Sequence, residues 1–89
     1  MNYQLEVDNN LKKIFEKLKK KDPLQAEMAK KKIKHILENP YQFKPLRDDM
    51  KGSRRVHIGK SFVLTYEIHE ERKVVRLLDY DHHDKIYKK

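Results

Sequence analysis

Residues 54–69, RRVHIGKSFVLTYEIH, alternate apolar and polar side chains on either side of a turn at Gly59 to Ser61, and this period of two constrains the chain more than any other feature. Alternation sends successive side chains to opposite faces of a strand, so the two runs, 54–58 and 62–69, read as a hairpin buried on one side. In the first run Val56 and Ile58 share a face with Arg54, while Arg55 and His57 share the other. The apolar pair belongs against a core. Arg55 and His57 are therefore expected on the open face, roughly 7 Å apart at ~3.3 Å rise per residue, a spacing that suits one phosphodiester held between a guanidinium and an imidazole.

The rest of the chain supplies what covers the apolar side. Tyr3, Leu5 and Val7 alternate with polar neighbours and predict a short first strand over 2–7. From Asp8 the period changes to that of a helix, with Leu11, Ile14, Phe15 and Leu18 as its apolar stripe. Asp22 and Pro23 start a second helix, because an aspartate caps the first turn and proline at the first helical position loses no hydrogen bond. Its stripe reads Leu24, Met28, Ile33, Ile36 and Leu37, and Pro40 ends it near Glu38. The stretch YQFKPLRDDMKGS has no sustained period and is a connection. After a turn around EER, VVRLLDY (74–80) completes a meander, while DHHDKIYKK fits either one helical turn or an extended tail. The fold class is α+β: one domain, 1–89, with the N-terminal strand and two-helix hairpin packed on one face of a small antiparallel sheet made of the C-terminal meander plus the first strand.

Charge and absences narrow the function. Twenty-two Lys and Arg against fourteen Asp and Glu give a net charge of +8, which favours a polyanion or an acidic protein as partner. There is no cysteine, so disulfides and thiolate zinc sites are out, and no segment reads as a signal peptide or membrane span. A soluble cytoplasmic protein is the expectation. With two glycines the chain has no phosphate-cradling loop, and no nucleophile elbow or paired-carboxylate motif is present. His82, His83 and the flanking aspartates invite a metal reading, but adjacent histidines point apart in helix or strand and no second cluster completes a tetrahedral set. No metal or cofactor is expected. What remains is Lys44 in the connection, Arg55 and His57 on the strand, and His83 and Tyr87 near the C-terminus, where a helix would place the last two on one face. Such groups suffice for metal-free RNA cleavage through the ribose 2′-hydroxyl, in which a base takes the hydroxyl proton, cations stabilise the phosphorane and an acid protonates the leaving 5′-oxygen.

SRRVHIGKSFVLTYEI followed by VVRLLDYDHHDKIY resembles the RelE/ParE superfamily of toxins from type II toxin–antitoxin systems, most closely the RelE/YafQ-like mRNA interferases. The likeness spans nearly the whole chain. It implies a ribosome-dependent endoribonuclease that cuts mRNA in the A site, held silent as a heterodimer or heterotetramer by an acidic RelB-like antitoxin covering the helix pair and a basic sheet face. The positions matching the family's catalytic set are Lys44, Arg55, His57, His83 and Tyr87. Two arginines common in relatives are replaced, one by Val63 and one in the neighbourhood of Asp81 and His82. Two other readings stay open: a ParE-like gyrase poison, which binds without catalysis, and a catalytically silent antitoxin-binding repressor component.

Overall fold

The computed structural model describes residues 2–43 and 53–87. In chain order the elements are β1 (Gln4–Glu6), α1 (Asn9–Lys21), α2 (Pro23–Glu38), β2 (Ser53–Ile58), β3 (Phe62–His69), β4 (Val74–His82) and α3 (His83–Tyr87), with short 3-10 turns at Pro40–Gln42 and Glu70–Arg72. Both long helices begin as the sequence dictates. The Asp8 carboxylate accepts the Leu11 N–H at 2.8 Å, and the Asp22 carboxylate accepts that of Gln25 at 3.1 Å, each satisfying one of the N–H groups a helix start leaves unpaired.

The four strands run in the order β1-β4-β3-β2. β2, β3 and β4 form the expected antiparallel meander, but β1 pairs with β4 in parallel, so the sheet is mixed and not wholly antiparallel. Because β2 and β4 share a direction, β1 is parallel to β2 as well, and the helix hairpin is the long crossover that two parallel strands require. It crosses one whole face of the sheet. Leu11, Ala29 and Ile36 from the helices meet Val56, Ile58, Leu64, Tyr66, Val75, Leu77 and Tyr80 in a single buried cluster.

Two sequence expectations are corrected here. Leu24 is 73% exposed, because the inward line of α2 runs through Gln25, Ala29 and Ile36 instead. Gln25 earns that position chemically: its side-chain amide donates to the Ile58 carbonyl and to the Tyr80 hydroxyl, each at 3.0 Å, and so fastens the first turn of α2 to the sheet. The turn that follows Ile58 comes so close to α2 that a Cβ on Gly59, at φ +68°, would lie 2.7 Å from the Gln25 side-chain oxygen. Only glycine fits there without strain. The second correction concerns β4, which continues to His82 and runs directly into α3.

An irregularity in β4 sets which of its residues reach the open face. Thr65 pairs with Asp79 but Tyr66 with Leu77, leaving Leu78 as the extra residue of a bulge. The phase of alternation therefore changes. Leu77 and Tyr80 both point into the core, and Asp79 and Asp81 are turned to the opposite face.

Candidate functional site

Cross-strand pairing assembles the open face in rows. His57 lies opposite Val63, which lies opposite Asp81; two residues along, Arg55 lies opposite Thr65 and then Asp79. Opposed residues of antiparallel strands share a face, so His57 and Arg55 each sit in a row that ends in a carboxylate. This end of the sheet is mixed in charge, which corrects the expectation of a basic sheet face. The two aspartates also have local work: each accepts the backbone N–H of the next residue, Tyr80 at 2.8 Å and His82 at 2.7 Å. Among the described residues β1 pairs with β4 only at Val74, Val75 and Arg76, so these contacts occupy donors on the part of β4 beyond that pairing.

α3 is held over this face by two anchors. The His83 N–H donates to the Ser61 carbonyl at 2.7 Å, which ties the start of the helix to the β2–β3 turn. Ile86 buries itself against Val63, the two forming a second, small apolar cluster on the side of the sheet away from the main core. Between these anchors His83 is delivered onto His57: the two rings stack with centroids 5.7 Å apart and planes 21° from parallel. Residues separated by twenty-six positions in sequence thus form one imidazole pair.

His82 takes the other direction. Its ring lies edge-on to Phe62 at 5.6 Å, and its Nδ1 accepts the Asp84 N–H at 3.2 Å, so the adjacent histidines do point apart. Among the described residues no set of three His, Cys, Asp or Glu side chains converges as metal ligands. No helix among them is long and apolar enough to cross a membrane.

Of the five candidate residues, the structure brings His57 and His83 together and places Arg55 on the same face. Lys44 lies outside the described residues, and Tyr87 is described only as the last backbone position of α3. The chain leading to Lys44 is nevertheless well fixed. Arg54, on the core side of β2, donates to the Phe43 carbonyl at 2.6 Å and lies over the Tyr41 ring at 5.1 Å, while the buried Tyr66 hydroxyl donates to the Pro40 carbonyl at 2.6 Å. Burial pushes the Tyr66 phenol up to about 12, which keeps it a hydrogen-bond donor at any pH the protein meets. Sequence reasoning missed Asp79, Asp81 and the Ile86–Val63 contact. The doubled leucine at 77 and 78 was the available signal for the two aspartates, since an alternating strand accommodates it only by a change of phase.

A strand, a helix hairpin and a meander closed by a short helix, with paired histidines on the uncovered face, define a small toxin fold. The match to solved structures is close: free Escherichia coli RelE, as an arginine-to-alanine double mutant, superposes with a TM-score of 0.79 at 26% identity, covering 99% of this chain and 93% of that one. The intact E. coli RelBE toxin–antitoxin complex gives 0.76 at 25% identity, covering 90% and 95%. The family described as "ParE toxin of type II toxin-antitoxin system, parDE" matches residues 2–87. A protein of Methanocaldococcus jannaschii named "Putative toxin RelE4" is 44% identical over 98% of this chain and 93% of its own, and a protein of Methanosarcina mazei is 49% identical over 96% and 99%. The chain belongs to the ParE toxin family, and is a toxin of a type II toxin–antitoxin system within the RelE/ParE superfamily.

Proposed function

We propose that this toxin is a ribosome-dependent endoribonuclease that cleaves mRNA in the A site without a metal. The observation that carries this reading is the stacked His57–His83 pair on an exposed sheet face. One imidazole, neutral, takes the proton of the ribose 2′-hydroxyl; the oxygen attacks the adjacent phosphorus; the other imidazole, protonated, gives its proton to the departing 5′-oxygen. The products are a 2′,3′-cyclic phosphate and a 5′-hydroxyl. Arg55 stabilises the charge of the phosphorane, Lys44 adds a second cation, and Tyr87 stacks on a base. The site is sparse in cations, and it gains most where the RNA backbone is already held in line, since enforced geometry supplies ~7–11 kcal/mol of such a barrier. The decoding site offers that geometry.

The same reading assigns an acidic antitoxin as partner. A groove between the helices and β1, lined by Leu5, Phe15, Ala26, Ala29 and Ile33, with Lys19 and Lys30 outnumbering Glu27 among its charged residues, suits the apolar seam of an acidic segment. The solved relatives that include antitoxin complexes support this assignment.

The test compares purified protein on naked mRNA with the same mRNA in ribosomes carrying an empty A site, mapping the new 5′ ends. Cleavage is expected only with ribosomes, and His57→Ala and His83→Ala should each abolish it while antitoxin binding and thermal stability persist. A second reading has its own observation: Val63, where relatives often carry arginine, is fully buried beneath Ile86 and offers the phosphate nothing. Absence of cleavage in both settings would shift the assignment to a gyrase-directed toxin or a silent, antitoxin-binding repressor component.

A further inference from the structure

The first turn of α2 carries a polar side chain on a line that is otherwise apolar. Gln25 is half-buried, and its amide nitrogen has two hydrogens and uses both, one on the Ile58 carbonyl and one on the Tyr80 hydroxyl, each at 3.0 Å. The two acceptors belong to β2 and β4, the strands on either side of β3. They also stand close in sequence to the imidazole pair, since Ile58 follows His57 directly and Tyr80 precedes His83 by three residues. One amide on the core side of the sheet therefore holds both segments that carry the pair on the open side. Two further links run from this amide to α3. Through the backbone, the turn that starts at Gly59 leaves no room for a Cβ between itself and Gln25, and it ends at Ser61, whose carbonyl accepts the His83 N–H at 2.7 Å. Through side chains, the Phe62 ring stacks on that of Tyr80 at 5.2 Å, with planes 10° apart, and meets His82 edge-on at 5.6 Å. Both links end where β4 becomes α3.

We infer that Gln25 is a positioning residue for the His57–His83 pair: by holding Ile58 and Tyr80 and seating the Gly59 turn, it fixes the spacing and tilt of two imidazoles on the opposite face of the sheet. This deepens the RNA-cleaving reading, and its consequence for rate rests on that reading. A leucine could fill the same space and bury more apolar surface. It could donate to neither acceptor. Apolar contact is non-directional, whereas a hydrogen bond weakens steeply away from its preferred distance and angle, so the amide supplies a registry that packing leaves loose. The stack depends on such registry from outside, because α3 has five residues and does not persist by its own propensity.

The experiment compares wild type with Gln25→Leu, which keeps bulk and removes both donors, and with Ile36→Ala, which weakens the same core without touching either acceptor. NMR on the full-length free toxin reads two quantities that need neither RNA nor ribosomes. One is the shift of the His57 ring resonances when His83→Ala is added, a measure of the stack; the other is hydrogen exchange at the His83 amide. Measured equally far below each melting temperature, Gln25→Leu should erase the His57 response and speed His83 exchange roughly tenfold, while Ile36→Ala should preserve both. In the ribosome assay Gln25→Leu should lose roughly 10- to 100-fold in kcat at unchanged KM, since misplacing a reacting group by about 1 Å costs up to ~10²-fold. Should Gln25→Leu fail to fold, Tyr80→Phe decides: it removes one acceptor, leaves Ile58 held, and should loosen the stack in the same direction by less. A wild-type stack and wild-type His83 exchange in the variant that folds would overturn the inference. So would equal loosening by Ile36→Ala, which would make the stack follow overall stability. A stack that depends on Gln25 in a toxin that cuts no RNA in either setting would sink the cleaving reading and uphold the positioning.

Discussion

The two faces of the sheet are built on different principles. On one, ten buried residues from two helices and three strands close a continuous core, and the polar groups at its edge, Gln25, Arg54 and the Tyr66 hydroxyl, are each tied to a backbone carbonyl. On the other, the buried apolar cluster is Ile86 on Val63, Thr65 is buried beside it, and the positions flanking them carry histidine, arginine and aspartate. The first face stores the stability and the second spends little of it. A site placed on the second face can present imidazoles to a substrate because its residues are not needed to hold the chain folded.

That contrast is most exposed to test by shortening one isoleucine on each side. Ile36→Ala removes a fully buried side chain from the centre of the helix–sheet core and should destabilise the protein by about 2–5 kcal/mol in denaturant unfolding. Ile86→Ala opens no cavity in that core and should lose under about 2 kcal/mol, yet abolish toxicity, because α3 then loses its apolar anchor on Val63 and the imidazole stack loosens. Equal losses for the two variants would show that the open face contributes to the core and would undo the distinction.

A smaller effect sharpens the same contrast at the border of the core. Tyr66→Phe leaves the ring in place and strips the Pro40 carbonyl of its donor, an unsatisfied buried acceptor expected to destabilise by about 1–3 kcal/mol. The damage should concentrate where Pro40–Gln42 hangs from β3, which hydrogen exchange at Tyr41 and Gln42 would report as faster opening, with β2 and β4 unchanged.

How much of this was legible in the sequence follows from the same division. The helices, the Asp22 cap and the meander were readable, because each depends on local period and capping chemistry that a short window contains. The position of Arg55 and His57 on the uncovered face was readable for the same reason. Three things were not. The parallel pairing of β1 depends on a partner some seventy residues away. The outward turn of Asp79 and Asp81 depends on the bulge at Leu78, which only the register with β3 fixes. The contact of His57 with His83 requires α3, a five-residue helix too short to be specified by its own propensity and held instead by Ser61 and Val63.

The smallest expected effect concerns a third kind of anchor, one made almost wholly of exposed charge. Between β3 and β4 the Glu70 carboxylate accepts the hydroxyls of Tyr3 and Tyr41, both at 2.7 Å, and pairs with Lys73, so it gathers the N-terminal strand and the start of the connection onto one turn. The Lys73 ammonium and then the two phenols hold the Glu70 carboxyl down at about 2, from an ordinary 4.5. A depressed carboxyl pKa stabilises the fold above the unfolded value and loses that contribution as pH falls through the folded one. The difference in melting temperature between wild type and Glu70→Gln should therefore be constant from neutrality to about pH 5, shrink between about 4.5 and 2, and vanish below. The group is exposed, so the plateau should be small and should fall further with added salt. An independent signal comes from the phenols: the hydrogen bond to Glu70 raises both Tyr3 and Tyr41 above the usual 10.0, and Glu70→Gln should shift their ionisation downward in an ultraviolet titration. Because this hub lies at the end of the β3–β4 pair away from the histidine pair, toxicity should be unaffected, and a Glu70→Gln variant that lost toxicity at unchanged melting temperature would mean that the two ends of the sheet are coupled.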